Sequence, residues 1–245
     1  MNKKTFLVLL FMMVLIIGGV STSSVWSQVI SDFEASEPPD SIFVSVTLGT
    51  SACTLNTVWN TSIVYHGSQS LSLNYHLEGG TNWRDRYISV VLDTTVRNMT
   101  SVAGLSLWGY TQVAQDGVIF RMSIYDKNTD GAQPELWVYE STFPQEVAGW
   151  VNLTPKWSDF VHPSWAAGWA ENDQNLNLDR IVKWEIAIVN TSESIPSQNG
   201  EILIDYYKTF PAVWDTTTIF ADGVLVLPNK ATAFGGDQWG GLQYT

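Results

Sequence analysis

Eight short stretches of this chain alternate apolar and polar residues with a period of two: "SLSLNYHL" (70–77), "YISVVLD" (87–93), "GLSLWGY" (104–110), "VIFRMSIYD" (118–126), "ELWVYES" (135–141), "GWVNLTP" (149–155), "VKWEIAIVN" (182–190) and "EILIDYYKTF" (201–210). That period sends successive side chains to opposite faces of a strand, so each run offers one face to a core and one to its surroundings. Gly, Asn, Asp, Ser and Pro separate the runs, and no stretch of comparable length shows a 3.6-residue apolar repeat. The pattern predicts an all-β sandwich of two antiparallel sheets with little helix. "KNTDG" (127–131) and "SESIPSQNG" (192–200), the latter ending in Asn-Gly, read as hairpin-like reversals. The segment 156–181, holding Trp157, Phe160, Trp165 and Trp169, reads as an ordered loop with a short helical turn near "DFV".

The N-terminus points to export. Lys3 and Lys4 precede an apolar run from Phe6 to Ile17 and a small polar stretch from Ser21 to Ser24, the layout of a signal peptide over 1–27, cleaved after Ser27 or Ser24. An uncleaved anchor is the alternative, because the uncharged run is long enough to span a bilayer. After cleavage no stable membrane span is expected, and the product is secreted or held at the cell surface. Cys53, the only cysteine, lies far from the cleavage region, which argues against a lipoprotein anchor, and it has no partner for an intrachain disulfide. It reads as a semi-buried thiol. Loss of the leader removes two lysines and leaves ten basic against 24 acidic residues, a formal charge of −14. Such a surface repels nucleic acid and anionic lipid and suits neutral ligands or cations. About 218 residues remain, enough for one sizeable β domain, and twelve tryptophans over the whole chain demand a large core, a stacking surface or both.

One carboxylate stands out. In "EILIDYY" (201–207) Asp205 sits between Ile204 and Tyr206 in an otherwise apolar strand. A buried, unpaired carboxylate costs several kcal/mol, so Asp205 must lie at an exposed edge, accept hydrogen bonds or bind a cation.

The order of "SDFE" (31–34), "HGSQSLSLNY" (66–75), "GLSLWGY", "FRMSIYD", "GWVNLTPKWSDF" (149–160) and "LDRIVKWEIAIVN" closing on "GEILIDYY" resembles the jelly-roll carbohydrate-binding modules, particularly family 11 and its galactose-binding-like relatives. The resemblance spans about residues 29–210. It implies a jelly-roll β-sandwich over 28–210 that binds polysaccharide or oligosaccharide without cleaving it. It also implies a structural calcium, with Asp32 or Glu34 meeting Asp205 around the cation and the loop at Gly67 adding oxygens. One departure is Tyr206, where the last strand of such modules often carries a second acid. The alternative for Asp205 is a carboxylate held by backbone amides at a sheet edge.

Alternation also sorts candidate ligand contacts. Leu105 and Leu107 oppose Trp108 and Tyr110; Phe120, Met122 and Ile124 oppose Arg121 and Tyr125; Leu136 and Val138 oppose Trp137 and Tyr139. If these runs are neighbours, Trp108, Tyr110, Arg121, Tyr125, Trp137 and Tyr139 share one aromatic-polar surface, with His76, Asp85 and Asp126 at its rim. Flat rings match the C–H faces of sugars, and charged groups give direction to hydroxyls. In the modules this chain resembles, glycan clefts lie on the concave sheet face. The competing reading places the same rings in the core or beneath the 156–181 loop.

Catalytic signatures are lacking. His66, His76 and His162 have no metal-ligand spacing, and no G-x-S-x-G nucleophile motif occurs. The expectation is therefore a non-enzymatic carbohydrate-binding domain, against a structural or adhesive surface module that lost its cleft, or a glycanase or lyase whose paired acids the sequence does not single out. Residues 211–245 change character to a Gly-rich, Trp-bearing stretch and read as an extension of the sandwich or the start of a second module.

Overall fold

The computed structural model describes residues 27–50, 52–78, 87–127, 133–146, 148–166, 173, 175–190, 197–211, 220–221 and 224–225. The leader, Asp85, Trp169 and most of "KNTDG" lie outside the described residues. One compact unit covers Ser27–Val213. Of the unit formed by the chain's two ends, only β12 (Phe220–Ala221) and β13 (Val224–Leu225), paired antiparallel, are described.

Among the described residues, eleven strands build the main unit: β1 (Val29–Ser31), β2 (Ser45–Leu48), β3 (Thr54–Asn60), β4 (Ser70–Leu77), β5 (Tyr87–Asp93), β6 (Val102–Thr111), β7 (Val118–Asp126), β8 (Glu135–Ser141), β9 (Gly149–Leu153), β10 (Ile181–Asn190) and β11 (Gln198–Pro211). They form a six-stranded sheet of order β3-β4-β11-β6-β9, with β1 also on β11, and a five-stranded sheet of order β2-β5-β10-β7-β8. All pairs are antiparallel, giving the two-sheet jelly-roll sandwich expected. Helix is minor among the described residues: α1 (Phe143–Glu146) and short 3-10 turns, one at Trp157–Asp159 beside "DFV".

Local alternation explains the core. Leu71, Leu73 and Leu77 of β4, with Leu105 and Leu107 of β6, point inward from one sheet; Phe120, Met122 and Ile124 of β7, with Trp184 and Ile186 of β10, point inward from the other. All are essentially inaccessible to solvent, and burying each aliphatic side chain is worth about 1.5–3 kcal/mol before conformational costs. Near its end β11 changes phase. Tyr206 adopts φ 50°, and the pairing with β6 shifts between Asp205 and Lys208, so a bulge turns Tyr207 inward against Trp184 at 6.5 Å.

Three strands of the main unit, β1, β2 and β3, lie outside the eight runs. β2 is exposed at all four positions and β3 is an edge strand of small polar residues around Leu55 and Trp59, so neither carries a strong alternating signal. The Asn-Gly of "SESIPSQNG" is not a reversal. Asn199 and Gly200 lie within β11, opposite His76 and Tyr75. The β10–β11 connection crosses between sheets, where no hairpin can form.

Candidate functional site

The outer face of the five-stranded sheet concentrates directional chemistry. Outward positions of β5, β10 and β7 place Tyr87, Ser89, Lys183, Glu185, Ala187, Arg121, Ser123 and Tyr125 side by side, because the register sets Glu185 opposite Ser123 and Lys183 opposite Tyr125. Glu185 is the hub. The Tyr87 hydroxyl donates to its Oε1 at 3.0 Å, the Tyr125 hydroxyl to its Oε2 at 3.5 Å, and Lys183 Nζ lies 2.9 Å from Oε2. Lys183 Nζ also sits 3.9 Å from the centre of the Tyr125 ring, a cation–π contact. Burial, reinforced by the Glu185 charge, pushes both phenols well above the usual tyrosine range, so they stay protonated donors.

Arg121 completes one side. Its Nε and Nη2 donate to Glu140 Oε1 at 2.9 and 2.6 Å, and its guanidinium carbon lies 5.6 Å from the ring centre of Trp165, which is 50% exposed. The floor is closed: Ser123 is 1% and Glu185 5% exposed, and Ser123 Oγ has no hydrogen-bond partner among the described residues. A ligand on this face would therefore meet Trp165, Tyr125, Arg121 and Lys183 rather than the floor.

The predicted surface does not exist as one face. Trp108 and Tyr110 belong to β6 of the six-stranded sheet, whereas Arg121 and Tyr125 lie on the outer face of the opposite sheet. Trp137 and Tyr139 point to the core side, opposite Ile124 and Met122. The phase assigned to β8 is thus inverted: Leu136 and Val138 are its outward residues, covered by Ala166 and Tyr125. The cause is the segment after Phe160, which hydrogen-bonds the β8 edge through Val161 and Val138 in both directions at 2.9 Å. Both faces of β8 are buried, so its alternation carried no inside-outside information.

Asp126 is not at a rim. It is fully buried, accepting from Trp137 Nε1 at 2.9 Å and from the Asn177 amide at 2.6 Å. His76 is on β4, on the far sheet, with Nδ1 2.8 Å from Asn199 Oδ1. Tyr139 lines a depression of about 290 Å³ with Phe143, Val151 and Asp159. The sequence marks Trp165 only as one aromatic of the 156–181 loop and does not single out Tyr87, Lys183 or Glu185. The signal was present in "VKWEIAIVN", where Lys and Glu alternate with Trp and Ile in a strand that must be mostly buried.

Asp205 is also not at an edge. β11 is paired on both sides there, and Asp205 is fully buried. Its Oδ2 accepts the amides of Tyr65 and His66, each at 2.9 Å, while Oδ1 has no partner among the described residues. The next residues of the same loop serve Glu34, which accepts from the Ser68 amide at 3.0 Å and the Ser68 hydroxyl at 2.6 Å. Gly67 joins the two halves at φ 73°, and a Cβ there would overlap Glu34 Oε1. Asp32 instead closes its own turn, accepting the Glu34 amide at 3.2 Å. Burial raises the Asp205 carboxyl against the pull of the His66 and Tyr65 amides, and the nearby Glu34 charge adds to the rise.

No family model matches the chain, and no curated protein matches it in sequence. Solved structures do match in fold. A family 11 carbohydrate-binding module from a cellulosomal cellulase of Clostridium thermocellum superposes with a TM-score of 0.59 at 19% identity, covering 79% of this chain and 99% of its own. The fold is that of the family 11 carbohydrate-binding modules. A family 11 module from the same organism, in complex with a β-1,3-1,4-mixed-linked tetrasaccharide, gives 0.57 at 18% identity over 78% of this chain and 99% of that one. A family 30 carbohydrate-binding module gives 0.53 at 10% identity, with coverages of 80% and 97%. No helix among the described residues is long and apolar enough to cross a membrane.

Proposed function

We propose that this chain is a secreted, non-catalytic carbohydrate-binding domain that holds a neutral polysaccharide across the outer face of its five-stranded sheet. The observation that carries the reading is the convergence of Tyr87, Tyr125 and Lys183 on Glu185, with Arg121 and exposed Trp165 alongside. Aromatic faces take the C–H surfaces of sugar rings, and pre-oriented charged groups take their hydroxyls at little entropic cost. The fold shared with glycan-binding modules supports it, as does an acidic chain unsuited to polyanions. Pull-down on insoluble polysaccharides and affinity electrophoresis in soluble β-glucans test it; a folded protein retained by none of a broad panel would refute it.

The nearly inaccessible floor favours a second reading, a structural or adhesive module in which the Glu185 cluster only stiffens the sheet. That reading requires Tyr125→Ala to lower stability with no glycan affinity to lose.

A structural calcium beside Asp205 belongs to the same proposal. The unpartnered, fully buried Asp205 Oδ1, with the Glu34 charge near it, fits a cation. Among the described residues no three His, Cys, Asp or Glu side chains form a ligand group, so Asp205 and Glu34 would be joined mainly by backbone carbonyls, as calcium allows. The ion would tie β11 to the chain before β2.

A further inference from the structure

The outer face of the six-stranded sheet carries a second aromatic array. Trp108 and Tyr110 project outward from β6, and the register sets Asn152 and Trp150 of β9 directly opposite them. Tyr65, from the loop after β3, lies flat on Trp108 with ring centres 3.6 Å apart and planes 18° from parallel. Trp150 leans against both Tyr65, at 5.8 Å, and Tyr110, at 5.3 Å. Tyr65 keeps 43% of its surface exposed while stacked on Trp108; Trp108, Tyr110 and Trp150 are half-buried.

A solvent-facing antiparallel sheet is ordinarily polar on that side, and four contiguous rings there mark a contact surface. Its charge state selects the occupant. Asp205 is fully buried beneath the Tyr65–His66 loop and Glu201 is half-buried with one oxygen on the Ser72 hydroxyl, so neither acid of this face presents an exposed charge to a cationic partner at the surface. An anionic partner is disfavoured by a chain of net charge −12. What remains is ring surface interleaved with neutral hydrogen-bonding groups, the phenols of Tyr65 and Tyr110 and the Asn152 side chain. That combination matches an uncharged polyol with apolar C–H patches.

We propose that Tyr65, Trp108, Tyr110 and Trp150 form a second glycan-binding surface, a flat platform for neutral polysaccharide on the sheet opposite the Glu185 face. It does not depend on that face being a ligand site. With both occupied, one domain would bridge two polysaccharide chains, or two places on one.

The test uses the full chain and three variants: Tyr65→Ala, Trp150→Ala and the opposite-face Tyr125→Ala. Tyr65→Ala keeps the backbone N–H that Asp205 accepts, so the loop anchor survives. Retention is measured on microcrystalline cellulose and insoluble β-1,3-glucan, xylan and mannan, with melting temperature and sedimentation in parallel. The expected result is a tenfold or greater loss of retention for Tyr65→Ala and Trp150→Ala on at least one of these, with melting temperature and sedimentation unchanged. If Trp150→Ala does not fold, Tyr65→Ala and the quenching of wild-type tryptophan fluorescence by polysaccharide decide. Loss by Tyr125→Ala alone supports the opposite face and overturns the platform; loss by the platform variants alone does the reverse. Wild-type protein retained on nothing overturns both. A shift from dimer to monomer in the platform variants would make the occupant a second copy of the chain and overturn the glycan assignment.

Discussion

Asp205 Oδ2 accepts the backbone N–H of His66 at 2.9 Å, joining positions 139 residues apart. Through this bond and its neighbour from Tyr65, a carboxylate in the middle of the last long strand fixes the loop that leads into β4. Glu34 holds the following turn of the same loop, so two acids from opposite ends of the unit clamp five consecutive residues, 65–69. No single sheet position reveals this, because the contact is long-range in sequence.

Calcium should stabilise the domain modestly. With the dissociation constants of about 0.1–1 mM common at extracellular sites, about 1 mM calcium contributes roughly 0.4–1.4 kcal/mol. At roughly 2–4 °C per kcal/mol, the melting temperature should rise by about 1–6 °C over the chelated protein. Asp205→Asn should abolish the response and leave binding at the Glu185 face, on the opposite sheet, intact. An identical wild-type melting curve with chelator and through millimolar calcium would leave the amides of Tyr65 and His66 as the only partners of Asp205.

The same group sets a pH dependence in chelator. Burial raises the Asp205 carboxyl above its unfolded value, so its protonated form folds better. That contribution is complete below the ordinary carboxylate range and is lost as pH rises through the raised folded value. Wild type should therefore lose melting temperature relative to Asp205→Asn as pH rises from about 4 towards 7. A gap that stays constant with pH would mean that Asp205 does not titrate above its unfolded value.

Arg121→Ala and Tyr125→Ala should each weaken polysaccharide binding by about 1–3 kcal/mol, roughly 5- to 150-fold, with small changes in melting temperature. Affinity electrophoresis reads the first and a thermal scan the second. A loss of about 3–5 kcal/mol of stability on truncating Tyr125 would instead make it a packing residue over Leu136 and Val138.

Trp137→Phe should act in the opposite sense. It removes the indole N–H that Asp126 accepts at 2.9 Å in a fully buried setting and should destabilise the fold by about 1–3 kcal/mol. Urea unfolding measures this, and glycan affinity at subsaturating denaturant should be unchanged.

Gly67→Ala should cost about 1–2 kcal/mol, because φ 73° disfavours any L side chain and the added methyl meets Glu34. A neutral effect in urea unfolding would show that the Glu34 carboxylate can leave the loop without penalty.

The sequence by itself determined eight of the eleven strands described in the main unit and, for β6 and β7, which side chains face the core. Alternation is a local property, and in these two strands the inward residues are aliphatic or aromatic while the outward face keeps polar groups among its members. It also showed that Asp205 needs a partner, since desolvation of a carboxylate is unfavourable wherever the strand is buried. Only the tertiary structure decided the rest. β6 and β7 are consecutive in the chain but belong to different sheets, so Trp108 and Tyr110 are separated from Arg121 and Tyr125 by the whole core. Strand order arises from crossovers, which leave no trace in the alternation of either strand. β8 is buried on both faces, so its phase was set by the packing of Val161 and Ala166, not by its own residues. The partners of Asp205 are backbone amides about 140 positions away, and a backbone N–H looks the same at every residue until the fold brings it into place.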